Sequence, residues 1–255
     1  MPVITINGPV GCGSIHIGQI VARKLHLDFV DRLVLTEAAK LLEKPVGALI
    51  DKEQRIERFR DRLGRFIQTM LERSAISGEM YAGGALMTLP PEAYASLGGD
   101  QSSNSGRVGD KEFIEATTTV VKALYQKGDV IIIGRAANMI LADSPGVFHV
   151  GLFAPPEVRV QILMHQENLE REEAEVMVEE LEQAHVEYYR KFFQVHPNEP
   201  SLYHIFLNMG KLQPQTAANI IAHAADDVVS ARQSYGDDPS HAESFFSAWG
   251  EPGKQ

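Results

Sequence analysis

Only one cysteine, Cys12, occurs in the 255 residues. That scarcity excludes an internal disulfide framework and any Cys-rich zinc site. No apolar run approaches the roughly 20 residues needed to cross a bilayer, so no membrane partner is expected. Positive charge is also short: 24 Lys and Arg face 34 Asp and Glu, for a formal net charge of −10. A surface of that sign repels the phosphate backbone, and long nucleic acid is not an expected partner. A small phosphorylated ligand stays open, because backbone N–H groups bind phosphate whatever the net charge. The histidines show no H-x-x-x-H or H-E-x-x-H spacing, so no dedicated metal site is expected. Met1-Pro2-Val3-Ile4-Thr5-Ile6 lacks the basic stretch and cleavage site of a signal peptide. It reads as the first strand of a mature protein with the cytoplasm as its expected address.

What is present is an alternation of short apolar runs with helical patterns. Val3 to Ile6, Leu27 to Val30, Val130 to Ile133, Val147 to Phe153 and Tyr203 to Leu207 read as strands. The wholly apolar run Val130-Ile131-Ile132-Ile133, bounded by Gly128 and Gly134, has the character of a central parallel strand buried on both faces. Helical spacing predicts Ile15–Leu25, Thr36–Lys40, Pro45–Gln68, Lys111–Lys127 and Thr216–Ser230. The region Pro156–Phe193 reads as one long helical stretch or two helices broken near Asn168-Leu169. Such alternation implies right-handed βαβ crossovers, a parallel sheet and a three-layer α/β/α domain over about residues 1–230. The stretch 82–110, rich in Gly, Pro and Ser, reads as a mobile insert, and 231–255 as a poorly ordered tail. The Glu-rich run Glu167–Glu182 reads as a solvated helix face.

Ligands in such sheets sit beyond the carboxyl ends of the strands. That rule points to Gly8–Ser14, Asp31, Gly134–Arg135, Ala154 and Asn208. The first of these places carries the strongest signal. Gly8-Pro9-Val10-Gly11-Cys12-Gly13 gives G-x-x-x-x-G between a strand and a helix. Glycines let the chain turn tightly so that successive N–H groups converge on a phosphate, and the helix N-terminus adds partial positive charge. A full P-loop continues with Lys and then Ser or Thr. Here Ser14 and Ile15 follow, so the lysine is missing, and so is the hydroxyl at the usual magnesium position.

The chain resembles the cytidylate kinase-like family, a branch of the P-loop nucleoside-monophosphate kinases. Ile4-Thr5-Ile6-Asn7-Gly8-Pro9-Val10-Gly11-Cys12-Gly13 is similar to the cytidylate kinase opening I-T-I-D-G-P-x-G-x-G-K-G-T. Ile131-Ile132-Ile133-Gly134-Arg135 resembles the strand that ends in G-R-D. Val150 through Arg159 resembles the entry to the lid, and Tyr203 through Leu212 resembles Y-D-L-V-I-N-T-G-R-L. The resemblance implies a P-loop NTPase type fold with a helical lid at about 160–193. It implies ATP as phosphoryl donor, CMP or dCMP as acceptor, and Mg2+ carried by substrate phosphates with no dedicated protein site. It assigns Gly8, Gly11, Cys12, Gly13, Ser14, Ile15 and Asn208 to the nucleotide, Asp31 and Arg135 to the substrate, and Arg135 and Arg159 to catalysis.

The departures from the family pattern bear on catalysis. Ser14-Ile15-His16 stands where the kinases carry Lys-Gly-Thr, and Ala136 replaces the aspartate of G-R-D. Ile162, Gln166, Glu182 and His185 occupy places where the family sets phosphate-clamping arginines, while Arg159 and Arg190 remain. One arginine at the transferring group is worth ~10³–10⁵ in rate, so weak catalysis is expected with binding better preserved.

Individual residues keep alternative readings. Arg135 binds a monophosphate or base, or begins a helix at the surface. Asp31 serves magnesium and the phosphate loop, or caps a helix. His16 is structural or exposed, or it supplies part of the missing charge when protonated. Cys12 has a lowered thiol pKa at a helix N-terminus, or is a small filler of the loop. Asn208 contacts a base or forms a turn. Three functions are therefore open: a nucleoside-monophosphate kinase, a nucleotide-binding module without turnover, and a structural partner that has lost its ligand. Oligomeric state is open as well.

Overall fold

The computed structural model describes residues 2–31 and 110–235, with side chains described for 2–31 and 114–228. The expected helices at 36–40 and 45–68 lie outside the described residues, as does the insert at 82–110 apart from Asp110, which opens a helix. Of the expected tail at 231–255, residues 231–235 continue the helix that begins at Pro214 and the rest lies outside.

Five parallel strands form one sheet: β1 (Val3–Asn7), β2 (Asp28–Val30), β3 (Val130–Ile133), β4 (Val147–Phe153) and β5 (Ile205–Asn208). Their spatial order is β2-β3-β1-β4-β5. Central β1 pairs with β3 from Val3↔Val130 to Ile6↔Ile133, and with β4 from Val3↔Val147 to Asn7↔Gly151. Every residue of β1 and β3 is buried, which is why these strands read as apolar runs without alternation.

The period-2 geometry of β1 divides the core. Ile4 and Ile6 point to one face with Ile131, Ile133, Val150 and Leu152, covered by α1 (Ser14–Leu25) and α6 (Pro214–Tyr235). Val3 points to the other face with Val130, Ile132 and Val147, covered by α2 (Asp110–Lys127) and α3 (Ala137–Ile140). On that second face two buried polar groups satisfy each other. Thr5 Oγ1 lies 2.8 Å from His149 Nδ1, across the β1–β4 register that pairs these residues. The His149 N–H donates to His204 Nδ1 at 3.0 Å, and the two imidazoles stack at 5.3 Å. Burial first, then the charge of His204, pushes the His149 pKa down to about 4.

The helical region after β4 is two helices. α4 (Pro156–Glu167) ends where Asn168 enters the left-handed region at φ 54°. α5 (Arg171–Phe193) then starts with a reciprocal capping box between Glu170 and Glu173. The pair packs through Val160, Leu163, Ala174, Val178 and Leu181. The expected break near Asn168-Leu169 is where the chain turns.

Two expectations shift. β5 begins at Ile205, because Pro200–Leu202 form a 3₁₀ turn and Tyr203 Oη donates to the Pro197 carbonyl. The helix that one reading of Arg135 expects begins two residues later, as α3: Gly134, Arg135 and Ala136 take successive φ of 75°, 52° and 51°, and the short helix starts from that left-handed turn.

Candidate functional site

Because all strands run parallel, their carboxyl ends lie on one edge, and the β1–α1 and β3–α3 turns meet there. The β1–α1 turn carries Gly11 and Gly13, both at φ 82°, a conformation that costs an L side chain roughly 1–2 kcal/mol. Gly11 is further constrained by space. A Cβ there would lie 2.8 Å from the Arg159 carbonyl oxygen and 2.9 Å from its Cα, so the loop rests on the α4 backbone. The turn is pinned by Cys12 N–H donating to the Pro9 carbonyl at 3.2 Å. The first intrahelical bond runs from Ile17 N–H to the Gly13 carbonyl at 2.9 Å. Ser14, Ile15 and His16 therefore occupy the first helical turn, whose N–H groups have no carbonyl four residues back. No side chain caps α1, and no acidic residue stands in that turn. This end of the helix favours an anion.

The cleft in front of the loop is open on one side, with a cavity volume of about 130 Å³. Its floor is Gly8–Gly11 and Gly13–His16, one wall is Ile133–Ala136, and the opposite wall comes from α4 and α5. Those two helices bring Leu163, Gln166, Leu181, His185, Tyr188 and Tyr189. Tyr189 is fully buried and anchors the wall: its Oη donates to Asn138 Oδ1 at 2.8 Å and lies 3.2 Å from Asn7 Oδ1. One hydroxyl thus ties β1, α3 and α5 together. Tyr188 stands beside Arg135. Burial pushes its phenol up to about 12, and the Arg135 charge pulls the other way.

The sequence-derived residues divide by position. Gly8, Gly11, Gly13, Ser14, Ile15 and Arg135 line the cleft together, with His16 exposed at its rim. Asp31, Cys12, Arg159 and Asn208 are not among its lining residues. Cys12 is 1% exposed, and burial pushes its thiol up to about 11, against Ser14 and the Arg159 charge. Of the two readings of Cys12, the loop filler agrees with this burial and the lowered thiol pKa does not: desolvation outweighs the helix end. Asp31 follows β2 directly and is buried. Asn208 ends β5, and its Oδ1 accepts the Gly210 N–H at 2.9 Å in an Asx turn. Arg159 is 2% exposed and donates from Nη2 to Glu182 Oε2 on α5, while its Nε and Nη1 have no partner.

Leu163, Leu181, Tyr188 and Tyr189 were not anticipated as cleft residues. The spacing of Leu181, Ala184, Tyr188 and Tyr189 on α5 could have marked a second apolar face, since all four are buried.

A protein-held cation does not fit this donor set. Among the described residues the cleft contains no Asp or Glu, and no group of three His, Cys, Asp or Glu could hold a metal ion. The loop amides, by contrast, suit a phosphate.

Comparison with known proteins agrees with this geometry. The chain is 27% identical over 112 residues to a cytidylate kinase of Methanopyrus kandleri, covering 41% of this chain and 58% of that protein. A cytidylate kinase of Thermoplasma acidophilum is 29% identical over 114 residues, covering 44% and 61% respectively. The match thus spans about three-fifths of the length of these relatives. An uncharacterized protein of Eubacterium ventriosum shares the fold at 15% identity with a TM-score of 0.58, covering 89% of this chain and 99% of that one. The family pattern itself matches residues 3–211, and the chain belongs to the Cytidylate kinase-like family.

Proposed function

We propose that this chain binds a nucleotide by its phosphates on the Gly8–Ser14 loop and transfers the ATP γ-phosphoryl group slowly to a nucleoside monophosphate. The observation that carries the reading is the loop itself. Two glycines at φ 82° open into a cleft beside an uncapped 12-residue helix. Arg135, on the facing wall, is placed to meet the acceptor phosphate; CMP or dCMP is the acceptor that family resemblance suggests. The Mg2+ that accompanies ATP would be held by its phosphates. The α4–α5 hairpin, which carries Gln166 and His185, serves as the lid over the loop. Slow transfer follows from charge: Ser14 and Ile15 bring no cation to the γ-phosphoryl oxygens, where a positive group is worth several orders of magnitude in rate. A small nucleotide as ligand supports a cytoplasmic role; among the described residues no helix is long and apolar enough to cross a membrane.

One observation favours a second reading, binding without transfer. Arg159, which the resemblance assigns to catalysis, is buried and engaged by Glu182. A coupled assay over all nucleoside monophosphates with ATP and magnesium separates the two. Turnover above a Gly13→Asp control supports transfer. Binding of ADP with turnover no higher than that control supports the second reading, and absence of both removes the two together.

A further inference from the structure

The charges around the loop specify which phosphate ligand it holds best. Among the described residues lining the cleft, Arg135 is the only Lys or Arg, and no carboxylate is present to recruit a metal. A second arginine, Arg159, lies directly behind the loop, its Cβ 2.8 Å from where a Gly11 Cβ would stand. Its charge is not at the ligand's disposal. Glu182 cancels it across the α4–α5 hairpin, and the side chain is 3% exposed. The hairpin surface that faces the loop carries no Lys, Arg, Asp or Glu: Leu163, Gln166, Leu181 and His185 line it. Two orphan N–H donors of Arg159, Nε and Nη1, show that this buried cation is under-satisfied by its single carboxylate.

We infer that the loop is matched to a low-charge phosphate, a nucleoside diphosphate or monophosphate, in preference to a triphosphate, and that Glu182 sets this preference by neutralising Arg159. The inference rests on the proposed nucleotide reading and names the ligand class for that same site. Each further phosphoryl unit adds a negative charge that loop amides and one arginine do not balance. At about 10 Å and an effective dielectric near 20, an uncancelled cation would be worth about tenfold in affinity for each added ligand charge, and the Arg159–Glu182 pair withholds that gain. Such a site also favours slow turnover, since a tightly held diphosphate product leaves slowly.

The test is a titration of the full chain with ADP and with ATP, each with and without Mg2+, by calorimetry. The wild type is expected to bind ADP about tenfold more tightly than ATP. Glu182→Gln, which frees the Arg159 charge, is expected to bring the two affinities together. Because that variant leaves a buried arginine unpaired and lowers stability, Arg159→Met/Glu182→Leu is titrated beside it. This double variant keeps the pair's net charge at zero and is expected to retain the ADP preference. ATP binding as tightly as ADP in the wild type overturns the inference and leaves the nucleotide reading standing. So does an ADP preference that persists in a folded Glu182→Gln protein or disappears from the double variant. Failure of the wild type to bind ADP, ATP and pyrophosphate removes the nucleotide reading itself.

Discussion

Arg159 on α4 and Glu182 on α5 form an ion pair behind the glycine loop, with the arginine 2% exposed and its backbone in contact range of Gly11. Removing one partner strands the other. Glu182→Ala is expected to cost about 3 kcal/mol, the low end for a broken buried pair, because the Glu182 side chain keeps 35% of its exposure. Replacing both, as Arg159→Met/Glu182→Leu, is expected to be nearly neutral. Urea denaturation of the three proteins checks this, and equal stabilities of the single and double variants would contradict it.

Gly11 and Gly13 share φ 82° but not their surroundings. A Cβ on Gly13 would meet nothing closer than Ile17 Cδ1 at 3.6 Å, so Gly13→Ala pays backbone strain alone, about 1 kcal/mol. At Gly11 the same strain adds to a collision with the Arg159 backbone, which cannot rotate away. Gly11→Ala is expected to destabilise by at least about 3 kcal/mol. Thermal melts of the two variants should separate clearly, with Gly11→Ala the lower.

Tyr189→Phe removes the hydroxyl that joins Asn138 and Asn7. Both amides are about 1% exposed and would be left short of a partner at a cost of about 1–3 kcal/mol. The loop begins one residue after Asn7, so ligand affinity is expected to fall with stability. A Tyr189→Phe protein with unchanged melting would contradict the role given to this hydroxyl.

The buried His149 predicts acid sensitivity. Its folded pKa is depressed to about 4, against an ordinary 6.5, so between these values the unfolded chain takes up a proton that the folded chain refuses. Stability is therefore fully present above pH 6.5 and falls as pH drops, by about 2 kcal/mol between pH 6.5 and 5. Carboxylates titrate mostly below that window. His204, also depressed by burial, adds in the same direction. Urea titrations at pH 6.5 and 5 are expected to show the loss in wild type and a reduced loss in His149→Gln.

Much of the fold was legible because the strands of a parallel sheet are buried on both faces and write themselves as apolar runs. Val130–Ile133 and Val147–Phe153 fall where the runs do. The loop was legible through its glycines. The start of α3 was hidden because it depends on Arg135 and Ala136 holding positive φ, a strained backbone that neither residue type advertises. The Glu-rich run was read as a solvated face, and Glu172, Glu173, Glu175, Glu179 and Glu180 are exposed. Glu182 at its end differs only in lying opposite Arg159, 23 residues away in sequence. Pairing at that separation is set by how α4 packs on α5, which composition does not encode. The tyrosine anchor was missed for the same reason: Tyr189 and Asn7 are 182 residues apart.

The central claim is that the Gly8–Ser14 loop holds nucleotide phosphates, and ADP binding compared between wild type and Gly13→Asp tests it most directly. An aspartate there combines the φ 82° strain with a negative charge at the mouth of the anion site. The account predicts saturable ADP binding by the wild type, and loss of that binding in a Gly13→Asp protein whose circular dichroism is unchanged. Equal binding by both proteins, or none by the wild type, would contradict it.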